Sequence, residues 1–315
     1  MNIIRKFNWR LRGFKGKVGH IYWVRFGKYY KSKFAKKKIC DAQYVNDVIR
    51  KAIENGSPFA ASRFGFNELS AITNCEGERE GLQKYDIKNN FALYGSAGFF
   101  PDEKWAYEKY YEWHISNIQY IDILGVWFNK LEDYIIEKYM KDTQIADLCA
   151  LEPYYHDNPW TAALEGKNVL VISPFAKTIE NQYNTKRELL FEDKRILPEF
   201  NLKTIKAVQS IGGEKCGFNS WFEALDSMID QMKSIDFDVA IIGCGAYGMP
   251  LAIEAKKLGK QAIHLGGALQ ILFGIKGKRW DEIEAVSRFY NEYWVRPSKE
   301  ETPKAAESVE SGCYW

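Results

Sequence analysis

Apolar runs bracketed by polar turns recur along the second half of the chain. Asn168–Ser173 (NVLVIS) and Val239–Ile242 are almost continuously apolar, the mark of strands covered on both faces. Between them the period changes. Phe222, Leu225, Ile229 and Met232 fall on one helical face, behind a Ser220-Trp-Phe-Glu223 capping box. Thr178–Phe191 reads as a further helix and Lys203–Ser210 as a further strand. After Val239–Ile242 come a glycine turn, a helix with Pro250 in its first turn, and a strand over Gln261–His264. In the first half, Asp41 is placed to cap a helix running to about Asn55, and Gly56-Ser57-Pro58 ends it. Phe59–Arg63 reads as a short strand, with a helix starting near Glu68. An aromatic helix at Glu103–Ile118, a strand at Ile121–Trp127 and a helix at Lys130–Met140 follow, and Cys149–Trp160 is irregular. Strands alternating with helices predict an α/β fold, Rossmann-like, with a mainly parallel sheet and helices on both faces. Ligands of such sheets bind at the carboxyl ends of the strands. The turns after Arg63, Ser173, Ile211, Ile242 and Leu265 are therefore expected to converge on one edge.

Charge divides the chain. Net charge is +3 over 315 residues, yet residues 1–40 carry 13 Lys or Arg and no acid, so the rest is +3 − 13 = −10. The same segment holds nine aromatic residues. We read residues 1–40 as a basic, aromatic-rich arm and 41–315 as the α/β domain, with a helical insertion at about 95–165. Cations interleaved with rings suit an anionic membrane surface, and also nucleic acid or simply a solvated arm with no dedicated partner; the membrane surface is the reading favoured here. No helix-turn-helix, zinc-finger or RNP signature points to nucleic acid. No apolar run reaches the roughly 18 residues of a membrane span, and no secretory leader is recognisable. The six scattered cysteines form no CxxC pair, which suits reduced thiols in the cytoplasm and no structural zinc.

Three segments carry candidate chemistry. Gly243-Cys-Gly245-Ala-Tyr247-Gly248 lies between strand and helix, where backbone N–H groups and the helix dipole favour a phosphate. The acid that holds a ribose hydroxyl in dinucleotide enzymes has no counterpart in Gln261–Gly267, which offers His264, Gly266 and Gly267 instead. That moves the expectation from NAD to a mononucleotide or nucleotide sugar. The same glycines would also serve tight helix-on-sheet packing, and a strand-end histidine often serves only as a hydrogen-bonder. In Ser62-Arg63-Phe64-Gly65-Phe66-Asn67-Glu68, Arg63 is suited to clamp a phosphate. Glu68 is suited to act as base, metal ligand or cap of its own helix. Lys276, Lys278 and Arg279, in a glycine-containing loop with Trp280, suit a diphosphate leaving group or simply a solvated basic loop. Ser173, at the end of its strand, faces the same edge. The aromatic tail Gly312–Trp315, docked back, would wall a sugar pocket.

At Arg63–Glu68 and Val239–Gly267 the chain resembles the GT-D fold glycosyltransferases, bacterial enzymes that build glycans from nucleotide sugars. Their motif runs approximately Ala-Arg-Tyr-Gly-Asp-Gly-Glu where this chain has Ser62–Glu68, and their Asp-x-Gly falls on His264-Leu265-Gly266. Lys167–Pro297 also resembles uncharacterised proteins of polysaccharide gene clusters, through the GCGAYG, HLGG, FGIKGKRW and NEYWVRP blocks. The resemblance spans roughly residues 41–315. It implies a glycosyltransferase with a nucleotide-sugar donor and a glycan or lipid-linked acceptor, working in the cytoplasm or peripherally on the inner membrane face. Arg63 and Glu68 would be catalytic. Ser173, Gly243, Gly245, Tyr247, Gly248, His264, Gly266, Gly267, Lys276, Lys278 and Arg279 would hold the donor. The family's metal-binding Asp-x-Glu falls on Phe66-x-Glu68, so Mn²⁺ or Mg²⁺ would rest on Glu68 without its Asp. A non-catalytic nucleotide- or sugar-binding module is the alternative, and an NAD-dependent oxidoreductase the second.

Overall fold

The computed structural model describes residues 2–309 and 311–315. Helix α1 (Asn2–Phe26) precedes a short hairpin, β1 (Lys33–Phe34) and β2 (Lys37–Cys40). Then follow α2 (Ala42–Asn55), β3 (Phe59–Arg63), α3 (Phe66–Arg79), α4 (Lys88–Ala97), α5 (Lys104–Asn117), β4 (Ile123–Val126), α6 (Glu132–Tyr139) and β5 (Gln144–Asp147). The second half runs β6 (Asn168–Ser173), α7 (Ala176–Leu190), β7 (Asn201–Lys206), α8 (Trp221–Ser234), β8 (Val239–Ile242), α9 (Gly248–Lys257) and β9 (Gln261–His264).

The nine strands form one sheet in the order β1-β2-β5-β4-β3-β9-β8-β6-β7. Every neighbouring pair is parallel except β1 with β2. The α/β reading with helices on both faces is borne out, and alternation along the strands shows how. Leu170 and Ile172 of β6 join one core cluster with residues of α3, α5, α8 and α9. Val169 and Val171 join the other, with α2, α7 and the segment after β9. Both faces are covered, so the strands read as apolar runs.

Local signals act as read. The Asp41 side chain accepts from the backbone N–H groups of Gln43 and Tyr44, and Gly56 closes α2 at φ +67°. Ser220 Oγ accepts from Glu223 N at 3.3 Å. Three expectations need correction. Residues 95–165 are not a helical insertion, because β4 and β5 lie within them and hydrogen-bond into the sheet. The strand expected to run to Ser210 ends at Lys206. Beyond it Ser210 leaves the sheet to donate to the Gly98 carbonyl at 2.6 Å. Residues 33–40, assigned to the arm, form β1 and β2, and β2 pairs with β5.

Candidate functional site

The chain leaves β3 towards β4 on one side. It leaves β9 towards α7 on the other, where Gln182 of α7 donates to the Gly274 carbonyl at 3.2 Å. In open α/β sheets, diverging connections of this kind mark the carboxyl ends of the neighbouring strands as the place where ligands bind. Arg63, the last residue of β3, stands there. Its guanidinium carbon lies 4.2 Å from the centre of the Trp127 ring, and Nε donates to the Phe64 carbonyl at 3.3 Å. Gly266, at φ +61°, makes room for it: a Cβ there would lie 2.6 Å from Arg63 Nη1. Burial pulls the Arg63 pKa down, and Arg279 pulls the same way, against Glu68, Tyr314 and Glu152. An arginine stays charged regardless. The site therefore holds a desolvated cation next to a second one.

Glu68 lies in the first turn of α3. Its carboxylate folds back over Gly65, so close that a Cβ on Gly65 would fall 1.7 Å from Oε2. Burial raises its pKa, while Arg63 and its own backbone N–H lower it. The carboxylate thus lies against its own backbone N–H and within the field of Arg63. Glu152, in the irregular segment after β5, is pushed up to about 7 by burial, against the hydrogen bond from Tyr154 OH (2.6 Å) and the charge of Arg63. Arg279 donates to Tyr314 OH at 3.1 Å and lies 4.8 Å from the centre of its ring. The tail that carries Tyr314 is docked: its carbonyl accepts from Gln270 at 2.9 Å, and the Cys313 carbonyl accepts from Arg279 N at 3.0 Å. Gly267 allows this, since a Cβ there would lie 2.5 Å from the Tyr314 ring.

Behind Trp127 lies a polar pair. Asn129 is buried with both side-chain amide atoms unpartnered, and Glu132 is buried with Oε1 unpartnered and Oε2 accepting from Asn129 N at 2.8 Å. Burial pushes Glu132 up to about 8. Trp127, Glu132 and Glu152 were not singled out from the sequence. Their one sequence signal is position, in the turns that follow strands at the carboxyl edge.

The glycine turn after β8 is arranged differently. A Cβ on Gly243 would lie 2.5 Å from the Gly266 carbonyl, one on Gly245 2.9 Å from the Ala97 carbonyl, and one on Gly248 2.1 Å from His264 Nε2. Tyr247 is buried and stacked on Trp221, with centroids 5.2 Å apart. The space the glycines leave is filled by protein. His264 is buried, with Nδ1 3.0 Å from Ser62 Oγ, and burial and Arg63 hold its pKa down to about 3. It is neutral and ties β3, β9 and α9 together. Ser173 Oγ accepts from Phe175 N at 3.2 Å and shapes its own turn. Of the basic loop, Arg279 is the cation that acts on Arg63. Lys276 stands over Tyr290, and Lys278 donates to the Ser311 carbonyl.

Divalent metals of the Mn²⁺ or Mg²⁺ kind need several oxygen donors. Among the described residues no three His, Cys, Asp or Glu side chains gather as a metal site. Phe66, the residue two before Glu68, is 59% exposed and offers no donor. The donor set around Glu68 does not make up such a site.

Fold and site together define an α/β protein with two guanidinium groups and aromatic rings clustered at the carboxyl edge of its sheet. No family model matches the chain, and no curated protein matches it. Among solved structures it is similar to "The highly conserved domain of unknown function 1792 has a distinct glycosyltransferase fold" and to a selenomethionine-substituted structure of that domain. Each similarity takes in 88% of this chain and 96% of the other, at 14% identity and a TM-score of 0.39.

Proposed function

We propose that this protein is a glycosyltransferase that takes a nucleotide-sugar donor and works in the synthesis of a surface polysaccharide or other glycan. The observation that carries the reading is the pair of guanidinium groups, Arg63 and Arg279, coupled at the carboxyl edge with Tyr314 beside both. Cations fixed where a diphosphate develops charge stabilise its departure. The acceptor hydroxyl oxygen bonds to the anomeric carbon, and the bond from that carbon to the phosphate oxygen breaks. The electron pair leaves on the diphosphate, between Arg63 and Arg279. The hydroxyl proton passes to a carboxylate. Glu68 is the base that receives it in this reading, and Glu152, with a pKa raised to about 7, is a second carboxylate able to hold the proton near neutrality. Trp127 and Tyr314 supply rings on which base or sugar stacks. The Ser62–Glu68 and His264–Gly266 motif resemblance supports the same reading.

A non-catalytic nucleotide-sugar-binding module is the second reading, favoured by Phe66 at the position of the family's metal ligand. Thermal melts of the full chain with UDP-, GDP-, CMP- and NAD-type ligands, with and without Mn²⁺, test the donor. Ligand at a hundredfold excess over Kd adds about 2.7 kcal/mol. A shift with one nucleotide or nucleotide sugar is expected. No shift, or one with NAD alone, overturns the proposal. Glu68→Gln separates enzyme from module: transfer is expected to fall by at least about a hundredfold with donor binding retained. Full turnover in that variant removes Glu68 from the chemistry, and no turnover in the parent protein leaves the module.

A further inference from the structure

Helix α1 has two opposite faces. One is docked: Trp9 is 4% exposed, Arg12 pairs with Asp133 at 2.8 Å, and His20 Nδ1 lies 2.9 Å from the Trp127 carbonyl. Trp23 donates to Asp147 at the end of β5. The helix thus lies along the turns after β4 and β5, and the Trp127 ring beneath it is the ring under Arg63. The other face is bare. Ile4, Phe7, Leu11, Phe14, Val18 and Ile21 recur at alternating three- and four-residue spacing, one stripe roughly opposite the docked residues. Phe7, Phe14 and Ile21 are 63%, 65% and 65% exposed. Exposed Lys6, Arg10 and Lys17 flank one side of the stripe and Lys15 the other.

We infer that α1 lies in the surface of an anionic lipid bilayer, with the stripe among the acyl chains and the flanking cations among the headgroups. Three observations choose this occupant. An apolar stripe between cations is the pattern of an interfacial helix. Residues 1–40 hold no acid, so two copies meeting along the stripe would set cation against cation where pairing helices need opposite charges. And among the described residues no helix is long and apolar enough to cross a membrane, which leaves lying in the interface as the mode of contact with lipid. Docking by α1 brings the Arg63 site to the lipid surface. Resting on the proposed transferase activity, this makes the acceptor class a saccharide carried on a membrane lipid.

Cosedimentation of the full chain with vesicles tests the docking without any need for activity. The vesicles are phosphatidylcholine alone, or phosphatidylcholine mixed with phosphatidylglycerol. Binding to the mixed vesicles is expected. The triple variant Phe7→Ser, Phe14→Ser, Ile21→Ser should bind at least about tenfold more weakly, with its melting temperature and nucleotide response kept. Replacing Lys6, Arg10, Lys15 and Lys17 by Gln should remove the preference for phosphatidylglycerol. Equal binding by parent and triple variant, no binding by the parent, or a parent dimer that the triple variant turns into a monomer would each overturn the inference. Failure of the transferase reading would leave the vesicle result unchanged.

Discussion

The turns after β8 and β3 stand at the same edge of one sheet, with only β9 between them, and both rely on glycine. After β8, the side-chain space of Gly243, Gly245 and Gly248 is taken by two backbone carbonyls and a neutral, buried imidazole. Around β3, the space of Gly65, Gly266 and Gly267 is taken by Glu68, Arg63 and Tyr314. Glycine in a turn reports that something comes close. It does not report what. A glycine-rich loop allows a phosphate to approach, and equally allows the chain to pack on itself. The charge and desolvation of the approaching group separate a closed turn from a site.

Substitution of Arg63 should give the largest effect. Its guanidinium is desolvated, and its near partners are a ring and a carbonyl rather than a bidentate carboxylate. Such a charge is costly to the fold, and under the proposed function its counterpart is the donor diphosphate. Arg63→Met is therefore expected to weaken nucleoside-diphosphate binding about a hundredfold, about 2.7 kcal/mol, with the melting temperature unchanged or raised. Isothermal titration and a thermal melt check both halves. Lost stability with unchanged affinity would make Arg63 a structural residue and dissolve the comparison.

Gly248→Ala should do the reverse. Its backbone is helical, so Ala is allowed, but the added Cβ meets the His264 ring. Overpacking of this kind costs about 1–3 kcal/mol. Urea unfolding should show that loss, with ligand affinity kept once the protein is folded. Lost affinity without lost stability would return the turn after β8 to the binding site.

Glu132 sharpens the electrostatic side. Burial raises its pKa from 4.5 to about 8. The unfolded chain loses this proton at lower pH than the fold does, so its contribution to stability falls as pH rises from about 4.5 to 8. Glu132→Gln removes that decline. Its stability gain over the parent should grow steadily as pH rises from 5 to 9, read from melts across that range. A gain independent of pH would mean an ordinary carboxyl group.

Much of the fold was legible because it is locally written. The runs at β3, β6 and β8 and the caps of α2 and α8 need only near neighbours to be understood, and they lie where the sequence places them. The site was legible in part. Arg63, Glu68, Arg279 and the docked tail were named, while Trp127, Glu152 and Glu132 were missed. Trp127 and Glu152 belong to irregular turns and Glu132 to the first turn of α6, and the meaning of all three depends on β4 lying between β3 and β5, an arrangement fixed by pairing between distant segments. The docked face of α1 was hidden for the same reason. Its Trp9, His20 and Trp23 look like part of a basic, aromatic arm until Asp147 and the turn at Trp127 are brought beneath them.

The smallest effect tests whether the tail belongs to the site or merely covers it. Tyr314 OH accepts a hydrogen bond from Arg279, and its ring fills the space left by Gly267. Tyr314→Phe keeps the ring and removes the hydroxyl. One such bond to a charged donor contributes about 1.5–3 kcal/mol when buried and less where water reaches it. Because Tyr314 is only half-buried, a loss of about 1 kcal/mol in donor affinity is expected, roughly fivefold, with the fold intact. Tyr314→Ala removes the ring too and should weaken binding further. If both variants bind donor like the parent, the tail only covers the site, and the charge-coupled region shrinks to Arg63, Glu68, Glu152 and Arg279. If Phe binds like the parent and Ala does not, stacking rather than the hydroxyl is what the tail supplies.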